Sequence, residues 1–195
     1  MANDRTNMVS LFDFGKWMGG TTSNIMELGD GFVELTEDWA PNIEEKQYVN
    51  MKTAANTLNG YAFSMTPERD HLSDEAQGYI DEAFRKFPTG TAAQADYYRF
   101  YKTDVTSDGK YKAIKVPVIA APSSTGGSGG ETLVSSIQIS GNGDVVEGTI
   151  AIVEGTYTFT EGVTDAEPAA FSSRSKTADK TSCLPLCRGS GLKFY

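Results

Sequence analysis

The chain has one histidine and two cysteines in 195 residues, and that scarcity removes much of catalytic chemistry at the outset. A histidine-based metal cluster is excluded, and any Ser-His-Asp triad would rest on His71 alone. That residue stands beside Asp70 ahead of a helix and reads as a helix-entry surface residue, not a base. Cys183 and Cys187 lack two further ligands at zinc spacing and cannot make a disulfide framework, so they read as free thiols. Long apolar runs are missing too. Val9 to Met18 is interrupted by Asp13 and Lys16, too short for a signal or a span, and the expectation is a protein made and kept in the cytoplasm, or leaving the cell by a route other than secretion, with no membrane partner. Positive charge is also short: 17 Lys and Arg against 26 Asp and Glu give a net charge of −9. Nucleic-acid phosphates would find little counter-charge, although DNA could pass such a surface without adhering. The glycines of Gly126 to Gly130 lack the Lys-Ser/Thr of a phosphate loop, and Asp104 to Gly109 lacks the ligand ladder of a calcium loop. No metal and no cofactor are expected.

What is present is a β pattern with one helix. An apolar share of 39% suffices for one core if long loops carry the polar excess. From Glu131 to Thr160, Leu133, Val134, Ile137 and Ile139 lead to a Ser140-Gly141-Asn142-Gly143-Asp144 break. Val145, Val146, Ile150, Ile152 and Val153 return, and Glu154-Gly155 leads into Tyr157 and Phe159. Three strands in a meander is the economical reading, with Gly148 marking a bulge or a close backbone approach. Ala95 to Thr103 is an aromatic strand, turned at Thr106-Ser107-Asp108-Gly109 into Tyr111 to Ala121. A flexible Gly/Ser loop follows Pro122.

Ser73 to Phe87 predicts an amphipathic helix. Ala76, Tyr79, Ile80, Ala83, Phe84 and Phe87 fall on one stripe, Ser73 is the candidate cap, and Pro88 stops the chain. Gly78 suggests close packing. Phe32 to Leu35 begins a strand, and Glu34 to Met51 reads as a long acidic loop or hairpin in which Trp39-Ala40-Pro41-Asn42 stops regular structure. Its carboxylates are read first as a solvated face. The sharper reading is an inter-subunit loop of Glu34, Glu37, Asp38, Trp39, Ile43, Glu44, Glu45 and Tyr48, with Trp39, Ile43 and Tyr48 as apolar anchors. Leu58-Asn59-Gly60-Tyr61 suggests a tight turn, after which Tyr61, Phe63 and Met65 alternate. Residues 1–30 read as an aromatic-rich arm that packs on its own core or reaches a neighbour, 31–165 as the domain, and 166–195 as an extension.

In order, Ile43-Glu44-Glu45-Lys46-Gln47-Tyr48-Val49-Asn50-Met51-Lys52, Leu58-Asn59-Gly60-Tyr61, the helix before Pro88, the aromatic strand Tyr97 to Tyr101, Glu131-Thr132-Leu133, Gly141-Asn142-Gly143-Asp144 and Val146-Glu147-Gly148-Thr149 form a series. Over Gly31 to Thr160 this series resembles the major tail tube proteins of long-tailed bacteriophages of Gram-positive hosts. The resemblance implies an α+β fold, mainly β, of two packed antiparallel β-sheets flanked by a helix. It implies a non-enzymatic virion protein, built in the host cytoplasm into hexameric rings that stack as a tail tube. Tape-measure and tail-end or head-proximal proteins would be its partners, and DNA would cross the lumen without specific binding. The acidic loop would reach the adjacent ring, and Ile137, Ile139, Val146, Ile150 and Ile152 would belong to the ring-forming or lumen sheet. A tail tube of a related injection machine shares every one of these expectations. The rival from another class is a carbohydrate-binding or carbohydrate-hydrolysing β-sandwich, with Tyr97, Tyr98 and Tyr101 lining a groove.

Overall fold

The computed structural model describes residues 4–162. Cys183, Cys187 and the proposed C-terminal extension lie outside the described residues. Eleven strands and one α-helix follow in the order β1 (Met8–Asp13), β2 (Ile25–Glu27), β3 (Phe32–Glu34), β4 (Asp38–Lys46), β5 (Ala55–Met65), β6 (Glu68–Asp70), α1 (Glu75–Lys86), β7 (Gln94–Val105), β8 (Tyr111–Gly126), β9 (Val134–Gly141), β10 (Val146–Val153) and β11 (Thr156–Glu161). Among the described residues the protein is mainly β with a single α-helix, and every strand pairing is antiparallel. All eleven strands join one hydrogen-bonded network with the main path β2-β1-β7-β8-β9-β5-β4.

The N-terminal segment packs on the chain's own core. β1 pairs with β7 from Met8↔Tyr101 to Phe12↔Tyr97, and alternate residues of both strands enter different cores. Phe12 and Tyr97 face a cluster holding Phe14, Trp17, Val116, Val118, Ile137, Ile139 and the helix residues Ala76, Ile80 and Ala83. Leu11, Tyr98 and Phe100 face a smaller cluster with Ala113 and Ile150, covered by Tyr157 and Phe159. Burial on both faces explains why β1 reads as a dense apolar run and not as strict alternation. Asp13, fully buried, accepts hydrogen bonds from the Ser23 hydroxyl (2.6 Å) and the amides of Asn24 (2.9 Å) and Lys16 (3.2 Å). The Trp17 indole donates to the Ala120 carbonyl at 2.9 Å, which fastens the segment to β8.

The meander reading of 131–160 is corrected at its first break. β9 and β10 do not pair with each other; both lie along β8, which faces β10 over Tyr111–Lys115 and β9 over Val118–Gly126. The chain therefore runs on past Gly141-Asn142-Gly143-Asp144 in the same direction, and the Asn142 amide donates to Pro117 O across the break (2.8 Å). The second break does reverse the chain. Glu154 (φ 49°) and Gly155 (φ 79°) are both left-handed, the geometry a two-residue hairpin turn needs. Gly148 is a close approach: a Cβ there would lie 2.3 Å from the Thr160 carbonyl oxygen and 2.5 Å from the Phe159 ring.

The helix begins two residues later than Ser73. Asp74 is its cap, accepting from the Gln77 amide at 2.9 Å, and Ala76, Ile80 and Ala83 are buried with Tyr79 and Phe84 packed beside them. Phe87 leaves the stripe: it ends the helix in the left-handed region (φ 46°) and is 63% exposed. Gly78 is exposed with open space around it, so no close packing occurs there. Gln77 is buried instead, bonded to the equally buried Arg69.

Candidate assembly surface

β4 and β5 pair along their whole length, yet β5 meets β9 only at Ser64↔Ser140 and Met65↔Ile139. Beyond that point the two strands form a ribbon that no further described strand pairs with, and every residue from Ala40 to Leu58 except Ala54 is exposed. At a rise of about 3.3 Å per residue, Pro41 to Lys46 alone carry the ribbon about 20 Å outward. Two sequence expectations change here. Pro41 does not interrupt the strand, because β4 is the edge of the sheet and a missing amide donor there breaks no ladder. Asn59-Gly60 is not a turn but lies within β5.

The register shows what Asn59 does. Trp39↔Phe63 and Pro41↔Tyr61 are opposite, then the register slips by one and Ile43 faces Leu58, leaving Asn59 as the extra residue. Residues directly opposite share a face. Without the bulge, Ile43 would face Asn59, and Leu58 would turn to the other side. The bulge therefore keeps one apolar stripe: Phe63 is 6% exposed, whereas Tyr61, Ile43 and Leu58 are 63%, 56% and 50% exposed. At the tip, Tyr48 and Val49 are exposed as well, with a Tyr48 O to Met51 N turn of 2.9 Å.

The root of the ribbon is fastened to the body by a buried carboxylate. Glu37, whose side chain is 6% exposed, accepts from the Tyr97 hydroxyl (2.6 Å), the Arg99 guanidinium (2.6 Å) and the Trp39 indole (3.1 Å). Burial, then the charge and hydrogen bond of Glu37, hold the Tyr97 phenol well above its ordinary pKa. Trp39 packs tilted against Phe63, ring centroids 4.7 Å apart, and Phe63 stacks on Tyr97 at 5.5 Å. Glu37 is therefore no part of a solvated face, and Trp39 is half-buried at the root of the ribbon.

The other expected site residues separate. Glu34 is exposed and accepts from Thr36 (3.1 Å); Asp38 is exposed at the start of β4. Glu44 accepts from Asn59 (3.3 Å) and pairs with Lys46 (3.0 Å), while Glu45 points from the stripe face with no partner among the described residues. Ile137, Ile139 and Ile150 are buried in the protein's own cores, Val146 is half-buried and Ile152 is 43% exposed. Sequence reasoning did not assign Leu58, Tyr61 and Arg99 to the site. The descent Tyr61-Phe63-Met65 was the available signal, and the bulge was not.

Among the described residues no group of three or more His, Cys, Asp or Glu is arranged to hold a metal. His71 is half-buried, with Nδ1 3.8 Å from Asp81. Tyr97 and Tyr98 are buried, which removes two of the three aromatics expected to line a sugar groove.

No family model matches the chain, and no curated protein matches it. Solved structures to which the chain is similar include the tube-terminating cap of the anti-feeding prophage (11% identity, TM-score 0.48, covering 76% of this chain and 92% of that one). A second is the sheath/tube terminator of the extracellular contractile injection system PVC in its extended state (9% identity, TM-score 0.49, 75% and 96%). A third is the tail of the empty GTA particle (10% identity, TM-score 0.49, 74% and 97%).

Proposed function

We propose that this chain is a structural tail protein that assembles with copies of itself into stacked hexameric rings, forming the tube through which a genome or cargo leaves the particle. The observation that carries the reading is the β4–β5 ribbon. It is an exposed, two-stranded arm with an apolar stripe continuous with the core, and a lone pair of strands is marginal in water. Such an arm is a liability in a monomer and a contact in an assembly. The order of sequence motifs from Ile43 to Thr149 supports the tail-tube form of that assembly, with tape-measure and terminal tail proteins as further partners. The net charge of −9 suits a lumen past which DNA slides. No catalytic step is assigned to any residue.

Negative-stain electron microscopy across a concentration series, with sedimentation velocity on the same samples, tests this. Rings or hollow tubes are the expected result, and shortening the arm by removing residues 43–58 should abolish them while the chain stays folded. A folded, full-length chain that remains monomeric at every concentration overturns the reading.

A further inference from the structure

The outer half of the arm has a complement elsewhere on the same chain. The stripe face ends in an unpaired carboxylate: Pro41, Ile43 and Glu45 alternate along β4, opposite Tyr61, Leu58 and Asn56. On the body, a groove of about 400 Å3 runs beside β1 and β3. Its apolar wall includes Leu28, Phe32, Val33 and Leu35, and Val33 is 73% exposed although it sits within β3. Arg5 and Lys102, both exposed, line the same groove. Arg5 donates to the Met8 carbonyl at 2.7 Å, whereas Lys102 has no partner among the described residues. The one carboxylate lining the groove, Glu27, already accepts from Tyr157 at 3.2 Å.

We infer that this groove is the seat for the arm of a second copy: Ile43, Leu58 and Tyr61 lie on its apolar wall, and Glu45 meets Lys102 and Arg5. The inference rests on the self-assembly reading and specifies the receiving surface. Donor and acceptor are different patches, so the contact can repeat head-to-tail from copy to copy, as stacked rings require. Sign matters as much as shape. The arm offers an unpaired anion where the groove offers an unpaired cation, and opposed like charges would exclude the wrong register.

The test uses the full chain with Cys183→Ser and Cys187→Ser, in two preparations of different tag length. One carries Leu58→Cys and the other Val33→Cys. Mixed under assembly conditions and oxidised, they should give a mixed disulfide between the two tag lengths. Disulfides only between Leu58→Cys copies would mean that arms pair with each other and would overturn the groove. Assembly without a mixed disulfide would overturn it as well, leaving self-assembly standing. Absence of assembly in the wild-type chain sinks both. A charge-reversal set provides an independent readout should a cysteine variant fold poorly. Glu45→Lys and Lys102→Glu should each raise the concentration needed for assembly about tenfold or more, and the double variant should recover most of that loss. Single variants that assemble like wild type, or a double variant no better than either single one, refute the pairing.

Discussion

Replacing Glu37 with alanine is the most informative perturbation of the root of the arm. Three donors converge on this carboxylate, two of them at 2.6 Å. Each loses its acceptor in a different degree. Tyr97 keeps the Ser10 hydroxyl at 3.0 Å, so its loss is partial. Arg99 keeps about a quarter of its side chain in water (24% exposed) and can be hydrated there, which discounts the penalty for an unpaired charge. The Trp39 indole is left without an acceptor. Breaking a buried pair costs about 3–5 kcal/mol, and the exposure of Arg99 lowers the expectation to about 2–4 kcal/mol. Glu37→Gln keeps the shape and an acceptor oxygen, and should cost about 1–2 kcal/mol. Urea unfolding at a concentration below assembly measures both; with a slope of about 2 kcal/mol per molar, the alanine midpoint should fall by about 1–2 M at unchanged slope. A shift under about 0.2 M would show that Glu37 is a solvated carboxylate, and the account of the arm as fastened at its root would fail with it.

Ile80→Ala removes a side chain with no exposure between helix and sheet, and a thermal melt should show a loss of about 2–5 kcal/mol. Gly148→Ala drives a methyl into the Thr160 carbonyl and the Phe159 ring, so the β10–β11 hairpin must shift, at a cost of about 1–3 kcal/mol in the same melt. Asp74 supplies the pH dependence. Burial pushes its carboxyl up, but the hydrogen bonds from Arg69 and the Gln77 amide, with the Arg69 charge, outweigh this and leave it below the ordinary 3.8. A depressed carboxyl stabilises the fold fully above its unfolded value and loses that contribution as pH falls through the folded one. The stability gap between wild type and Asp74→Asn, which keeps a capping side chain, should be constant above about pH 5 and shrink below about pH 3.8; a gap that widens in acid refutes the assignment.

The helix and the β7–β8 hairpin were legible because their signals are local. A 3.6-residue stripe, acidic and basic ends and a proline fix α1, and Thr106-Ser107-Asp108-Gly109 closes the hairpin as expected, with the Gly109 amide on Thr106 O at 3.0 Å. What was misread depended on partners far along the chain. A Gly-Asn cluster permits a reversal without requiring one, and at 141–144 the long β8 lets the chain run straight on. The burial of Glu37 is invisible in an acidic segment, because Tyr97 and Arg99, which satisfy it, lie 60 and 62 residues away. Phe87 matched the helical spacing, but the left-handed cap rotates it off the stripe.

The same distinction separates the body from the arm. In the body, strands β1, β7 and β8 bury residues on both faces, so most apolar residues there have partners within the chain. In the arm the pattern of apolar alternation continues past the last strand that could cover it, and a bulge preserves its alignment at Ile43 and Leu58. A bulge costs ladder hydrogen bonds, and on a ribbon meant only for solvent a one-residue slip would have no consequence. Its position, between the half-buried Trp39 with the buried Phe63 and the exposed pair Ile43–Leu58, makes sense when the exposed face is matched to a surface outside the chain. A ribbon held at its root by Glu37, Tyr97 and Arg99 would deliver that face in a fixed direction, which is what a repeating contact between copies requires.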